Sequence, residues 1–259
     1  PAIKNNHKTK TMIVDLKNRS DFTSSPWLSN TLISEVRSAM GRKAQSLIFL
    51  NRRGSARAVL CQDCGWQALC PRCDIALTYH QDEHKIICHS CGHKEFSPTS
   101  CPECKSTEIV FKVAGTKAIY QEIARLFPQA RIARFDSDNL VNERIDKSHE
   151  SLISGEIDIV VGTQLLTKGL DLPKLAVVGV VTADTALSFP DYTADEITFQ
   201  QLSQVIGRVG RGHMDGSVII QTYYPENSII KAAVTKNYSL FYTQQITERE
   251  KFLFPPFCF

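Results

Sequence analysis

Eight of the nine cysteines in this 259-residue sequence fall between Cys61 and Cys104. They form four Cys-x-x-Cys pairs, Cys61/Cys64, Cys70/Cys73, Cys88/Cys91 and Cys101/Cys104, separated by spacers of five, fourteen and nine residues. Two residues between cysteines allow a tight turn to aim both thiolates at one tetrahedral ion, with Zn–S near ~2.3 Å. Eight thiolates complete two four-thiolate sites, with no ligand left over and no position open to a substrate, which is the pattern of two structural Zn2+ ions. The short first spacer and Pro71 favour a nested arrangement. Cys61, Cys64, Cys101 and Cys104 then hold one zinc, and Cys70, Cys73, Cys88 and Cys91 the second.

Other cysteine chemistries fit less well. A disulfide framework needs an oxidising compartment, and the sequence opens without a signal peptide. Iron–sulfur ligation remains an alternative, but evenly paired knuckles suit zinc better. Thioredoxin-like exchange uses one such pair on a βα unit rather than four clustered pairs. His80, His84, His89 and His93 lie among the cysteines; any of them could replace a thiolate, although the cysteines alone suffice. Cys258 stands apart, and its plain reading is a buried thiol without a catalytic partner.

Two further stretches could act on a phosphorylated ligand. The first, Gly162-Thr163-Gln164-Leu165-Leu166-Thr167-Lys168-Gly169-Leu170-Asp171, follows an apolar strand. Ligands of open α/β sheets gather beyond the carboxyl ends of strands. Thr163 and free backbone N–H groups could hold a phosphate there, Lys168 could add charge, and Asp171 could take a ribose hydroxyl. Against this stands the ordinary polar βα loop. The second stretch is Gln201–Gly212, QLSQVIGRVGRG. On a continuous helix Gln204, Gly207, Arg208 and Arg211 share one face, and Leu202, Val205 and Val209 share the face toward the core. Gly207 costs ~1 kcal/mol in a helix interior, which is easier to understand if a large group must approach the backbone. The two arginines offer forked donors suited to a triphosphate; a solvated basic face is the competing reading.

The elements that must position these groups alternate. Residues 11–16, 46–50, 108–113, 131–135, 157–162, 175–181 and 217–223 read as strands. Residues 27–40, stopped at Gly41, the run after Gly115 ended by Pro128, a weaker stretch at 141–153, and 195–211 read as helices. Strands alternating with helices imply a parallel sheet covered on both faces, an α/β fold, with the cysteine module inserted after its second strand. The expected units are 11–56 and 108–235 for the two parts of the α/β domain, 57–107 for the zinc-binding insertion, and 236–259 for the start of a further region. Residues 1–10 are a polar, basic lead-in. At the other end Pro255-Pro256 break a helix with no capping element after them, which suggests that the sequence stops short.

Composition narrows the class. Hydrophobic content of 42% and charged content of 22% are ordinary for a globular protein. No apolar run approaches the ~20 residues that span a bilayer, so a membrane role is not expected. A net charge of +3 permits a nucleic-acid partner without arguing for one. Reduced cysteines point to the cytoplasm.

The two phosphate-facing stretches resemble motifs V and VI of superfamily 2 helicases. Gln204-Val205-Ile206-Gly207-Arg208-Val209-Gly210-Arg211 fits that superfamily's Q-x-x-G-R-x-G-R. The four cysteine pairs lie between Phe49-Leu50-Asn51-Arg52-Arg53-Gly54 and Gly115-Thr116. With Thr182-Ala183-Asp184, Phe189-Pro190-Asp191 and Phe254-Pro255-Pro256-Phe257, this narrows the resemblance to the family of bacterial primosomal replication-restart helicases.

That resemblance implies the second RecA-like lobe of an ATP-dependent 3′-to-5′ DNA helicase, with a zinc-binding insertion implicated in unwinding and in contacts with primosome proteins. It implies that Arg208 and Arg211 contact the γ-phosphate of ATP held with Mg2+, with Arg211 as the arginine finger, and that Gln204 orients the phosphates or the attacking water. Asp171 and Gly169 would face the nucleotide. Gly162, Thr163, Gln164 and Lys168 would contact DNA. Single-stranded and forked DNA, other primosome proteins and single-strand-binding protein are the implied partners of a monomer in the bacterial cytoplasm, at the nucleoid. Leu170 stands where the family more often has histidine, and Thr193 and Ile197 where it has arginine. Neither a G-x-x-x-x-G-K-[ST] loop nor a D-E-x-H box is present, so the first lobe is missing from this sequence and the chain alone is expected to be inert. The competing class is a non-catalytic zinc-ribbon scaffold that binds DNA or protein.

Overall fold

The computed structural model describes residues 9–50, 59–72, 76–80, 82–110, 115–135, 151–163, 172–184, 187, 192–209 and 215–258. Six strands form one all-parallel sheet: β1 (Thr9–Asp15), β2 (Gln45–Phe49), β8 (Ile132–Phe135), β9 (Ile159–Gly162), β10 (Leu175–Val180) and β11 (Gly216–Thr222). Their order is β1-β11-β10-β2-β9-β8. β2, β9 and β10 are buried at every position, as parallel strands covered on both faces must be.

Alternation assigns successive side chains to opposite faces. Leu47, Phe49, Val160, Val178, Val180, Val218 and Ile220 enter one apolar cluster. Ile48, Leu50, Ile159, Val161, Val177 and Ile219 enter the other. The first face is covered by α3 (Ala194–Ile206), α4 (Ser228–Thr235) and α5 (Tyr238–Lys251), through Phe199, Leu202, Val205, Ile230 and Phe241. Phe199 and Phe241 stack at 4.0 Å between ring centroids. The second face is covered by α1 (Asn30–Gly41) and α2 (Thr116–Leu126), through Leu32, Ile33, Val36, Ile119 and Ile123. The Ser29 side chain caps α1 by accepting from Leu32 N–H. The chain is thus α/β with the expected two-faced parallel sheet.

The cysteine module leaves the sheet after β2. It contains a two-stranded antiparallel ribbon, β3 (Leu60–Cys61) with β7 (Ile109–Val110), and a three-stranded antiparallel sheet of β4 (Thr78–His80), β5 (Lys85–Ile87) and β6 (Lys94–Phe96). The strand expected at 108–113 is therefore not a member of the main sheet where it is described. Ile109 pairs with Cys61 and closes the base of the module, because the thiolate turns bring those two segments together.

Two other expectations need correction. The helix expected at 195–211 ends at Ile206 with Gly207 as its cap (φ −68, ψ −8), and residues 207–209 continue as turns. Cys258 is exposed rather than buried, with its Sγ against the Leu253 carbonyl, because the tail after Lys251 lies on the surface. The helix expected at 141–153 falls largely outside the described residues; 151–154 are helical.

Candidate metal centres and the carboxyl edge of the sheet

Three of the cysteine pairs adopt one backbone design. The first cysteine's N–H donates to the carbonyl five residues on: Cys61 to Trp66 (2.7 Å), Cys88 to His93 (2.8 Å) and Cys101 to Ser106 (2.7 Å). Its carbonyl accepts from the residue four on: Gly65, Gly92 and Lys105, each at 3.0 Å. That fourth residue must take a left-handed conformation, with φ of 80°, 72° and 63°. Glycine meets the requirement twice without a Cβ penalty, and Lys105 meets it with one. The fourth pair includes Cys73, which lies outside the described residues.

These turns gather the sulfurs into two clusters. Cys61, Cys64, Cys101 and Cys104 form one, and Cys70, Cys88 and Cys91 the other, with all sulfurs of a cluster within 4.8 Å of one another. Cys61–Cys104, Cys64–Cys101 and Cys70–Cys91 are 3.6, 3.5 and 3.6 Å apart. Two sulfurs on one tetrahedral zinc at ~2.3 Å are separated by about 3.8 Å. The donor set and its spacing are therefore those of thiolate zinc centres.

The environments of the sulfurs differ. Burial pushes the Cys64 thiol up to about 12 and raises that of Cys61. Burial also opposes ionisation of Cys101, but N–H groups of Cys104 and Glu103 and neighbouring thiols outweigh it and bring the value down to about 7. At Cys88 the N–H of Cys91, helped by that of Ser90, brings it down to about 7. The knuckle backbone thus pulls toward thiolate, the form that binds metal, at the first cysteine of each turn; it prevails at Cys88 and Cys101, and burial outweighs it at Cys61.

The module rests on the carboxyl edge of the sheet. Because all six strands run the same way, the ends of β2, β9, β10 and β11 share one edge. Leu50 N–H donates to Gly162 O (2.9 Å), Val181 to Phe49 O (3.0 Å) and Ala183 to Gln221 O (2.9 Å). Beyond β11, Tyr223 packs beneath Gly65, where a Cβ would lie 2.9 Å from the Tyr223 Cβ. The Tyr224 hydroxyl donates to Gly65 O at 3.2 Å. Asp184 accepts from the Thr222 hydroxyl and from Tyr223 N–H (2.8 Å), fixing the start of the tyrosine pair. Burial pushes the Asp184 carboxyl above its usual range, against those hydrogen bonds. Gln221 accepts from Ser29 N–H (2.8 Å) and donates to Trp27 O and Val181 O, tying α1 to this edge. The roles of Gln221, Tyr223 and Tyr224 escape sequence reasoning; the only signal is two aromatics and an amide at the end of a buried strand.

The residues expected to face nucleotide or DNA are reached in part. Gly162 ends β9 and is buried, and Thr163 is buried with its N–H on Phe135 O at 3.3 Å. That N–H is already engaged, so it is not a free phosphate donor. Gln204 is exposed in the last turn of α3, and Arg208 is half-buried in the turn after it. Leu202, Val205 and Val209 are buried, as their spacing requires. The premise of a helix running through 211 fails, and Gly207 is a terminus rather than an interior position; a Cβ there would meet Ser203 O at 3.0 Å. Gln164, Lys168, Gly169, Asp171 and Arg211 lie outside the described residues. Among the described residues, no helix is long and apolar enough to cross a membrane.

Known proteins match along nearly the whole chain. Residues 70–95 match the family model of the PriA DNA helicase Cys-rich region, and residues 103–213 match that of the helicase conserved C-terminal domain. The replication restart protein PriA of Bacillus subtilis is 38% identical over 97% of this chain and 32% of its own length. Its counterpart in Synechocystis is 40% identical over 95% of this chain and 30% of its own, and that of Chlamydia trachomatis 37% over 96% and 34%. The chain spans about a third of the length of these curated relatives. It carries both the cysteine clusters and the sheet to which those models correspond, and along nearly its whole length it is similar to part of the PriA replication restart proteins.

Proposed function

We propose that this chain forms the second RecA-like lobe and zinc module of an ATP-dependent 3′-to-5′ DNA helicase that acts at stalled or branched replication forks to restart replication. The observation that carries the reading is that one chain, 37–40% identical to these replication restart proteins, roots a thiolate module on the edge of a parallel sheet. That is the edge where α/β folds bind ligands.

In this reading Cys61, Cys64, Cys101 and Cys104 hold one structural zinc, and Cys70, Cys73, Cys88 and Cys91 a second. Zinc supplies cross-links that the module's small core cannot, with apparent binding free energies of ~10–16 kcal/mol per site. ATP with Mg2+ lies between this lobe and another. Arg208 and Arg211 stabilise charge on the γ-phosphoryl group as water adds to phosphorus and the bond to the ADP oxygen breaks. Gln204 orients the phosphates or that water. Asp171 and Gly169 hold the nucleotide, and Gly162, Thr163, Gln164 and Lys168 meet the backbone of single-stranded or forked DNA. Other primosome proteins and single-strand-binding protein are the partners, and the protein works as a monomer in the bacterial cytoplasm, at the nucleoid.

The test is ATP hydrolysis by the whole protein with and without forked DNA, wild type beside Arg211→Ala. Arginine fingers contribute roughly 10³–10⁵ in rate, so DNA-stimulated turnover should fall at least about a thousandfold while DNA binding persists. Turnover unaffected by Arg211→Ala would move the finger elsewhere. Absence of any turnover in the whole wild-type protein, with DNA binding intact, would favour a scaffold.

A further inference from the structure

Neither thiolate cluster involves a pair of imidazoles that the module brings face to face. His80 ends β4, and His89 lies inside the Cys88–Cys91 turn. Their Nε2 atoms are 3.4 Å apart, their ring centroids 5.3 Å apart and their planes inclined by 49°.

A hydrogen bond explains this geometry poorly. N–H bonds to protein acceptors cluster near about 2.9–3.0 Å, and this separation is long for one. Two nitrogens on one tetrahedral zinc at about 2.05 Å lie about 3.4 Å apart. When both rings aim Nε2 at that ion the centroids fall about 5.2 Å apart, whereas rings meeting head-on at the same nitrogen separation put them at about 5.7 Å. The observed centroid distance matches convergence on a common point.

We infer that His80 and His89 form a third metal site, for a borderline divalent ion such as Zn2+. Unlike a four-thiolate centre it offers only two protein ligands, and with His89 exposed and His80 half-buried water completes the coordination. Two neutral imidazoles hold zinc far more weakly than four thiolates, so this ion exchanges while the other two stay. Its structural effect is to clip the end of β4 to the Cys88–Cys91 turn. Of the remaining module histidines, His84 Nδ1 is engaged with the Tyr79 hydroxyl at 3.1 Å, and His93 Nε2 lies buried 3.6 Å from a Glu95 carboxylate oxygen. The inference is independent of the helicase reading.

The experiment titrates Zn2+ into the zinc-loaded protein near neutral pH, against a chromophoric chelator of micromolar affinity, while the imidazole Hε1 resonances are followed by NMR. The expected result is one exchangeable equivalent beyond the tightly held zinc, with His80 and His89 resonances moving together as it binds. His80→Ala should abolish that equivalent and leave the tightly held zinc in place, and His84→Ala should retain it. His80→Gln, which keeps a polar side chain at the strand end, should lose it as well. Motionless His80 and His89 resonances in the wild-type titration, or an exchangeable equivalent that survives His80→Ala, would overturn the assignment.

Discussion

Every residue of β2, from Gln45 to Phe49, is buried, whereas every residue of β6, from Lys94 to Phe96, is exposed. The contrast runs through both regions. The lobe sandwiches its sheet between two extensive apolar clusters. The module's cluster consists of Val59, Ala68, Cys70, Leu77, Ile86 and Cys88, with Trp66, Tyr79 and Ile109 at its margin. Two of those six buried residues are cysteines of the metal clusters. A fully buried aliphatic side chain contributes about 1.5–3 kcal/mol, so the lobe can be held by burial alone. A unit as small as the module needs cross-links or metal. One chain thus uses two means of stabilisation side by side, and each should respond to its own perturbation.

Metal removal should give the largest separation. Stripping the thiolate centres forfeits about 10–16 kcal/mol per site, more than the whole stability of many domains. Amide exchange should accelerate at Gly65, Leu77, Cys88, Gly92, Cys101 and Lys105, whose N–H bonds depend on the module's turns and strands. The amides of β2, β9 and β10 should keep their protection. Equal loss of protection in both regions would mean that module and lobe are one cooperative unit, and unchanged protection in the module would remove metal from its account.

The converse perturbation is Phe49→Ala. Phe49 is fully buried in the central strand of the first apolar cluster. Deleting its ring should cost about 3–5 kcal/mol, read as a fall in the denaturant midpoint of the lobe, while zinc content stays the same. Loss of metal in this variant would show that the module cannot hold its fold without the lobe beneath it.

The two regions were also legible to different degrees. Apolar runs such as Leu47–Leu50 and Leu175–Val181 revealed the parallel sheet, because a strand buried on both faces is mostly apolar at successive positions. Cysteine spacing indicated the metal clusters, because two intervening residues are what a tight thiolate turn requires. What escaped was anything set by tertiary context. The pairing of Ile109 with Cys61 follows from closure of the module, not from local pattern. The end of α3 at Ile206 was hidden because Val205 and Val209 keep helical spacing while the backbone has already left the helix. Gln221 follows an apolar run in β11 with nothing in its local pattern to mark it, yet it is fully buried and bonded to three backbone groups.

The seam between the regions can be tested with paired glycines. Gly65 and Gly92 occupy the same position in two knuckles, with φ of 80° and 72°. A Cβ at Gly92 meets nothing within 4 Å, whereas one at Gly65 lies 2.9 Å from the Tyr223 Cβ. Gly92→Ala should therefore cost only left-handed strain, about 1–2 kcal/mol. Gly65→Ala adds an overpacked contact of about 1–3 kcal/mol at the docking point. Competition with a chelator should show a larger loss of zinc affinity for Gly65→Ala, and Tyr223→Gly, which removes the opposing Cβ as well as the ring, should bring the two variants together. Equal losses with Tyr223 present would mean that the module does not bear on the lobe there.

The smallest effect should come from Lys105, which stands in the third knuckle where the other two have glycine, at φ 63°. A side chain in the left-handed region costs roughly 1–2 kcal/mol, so Lys105→Gly removes strain. It also removes a hydrogen bond, since Lys105 Nζ donates to Pro102 O at 2.8 Å, but that bond is exposed, and a net intramolecular hydrogen bond contributes about 0.5–1.5 kcal/mol at most in such settings. The backbone gain should exceed the loss by about 0.5 kcal/mol, seen as a two- to threefold tighter hold on the zinc of the Cys61–Cys104 cluster. Lys105→Ala keeps the strain and loses only the hydrogen bond, so it should weaken zinc binding slightly. If Lys105→Gly weakens binding as much as Lys105→Ala, the lysine's hydrogen bond outweighs its backbone strain, and the three knuckles share a geometry without sharing its cost.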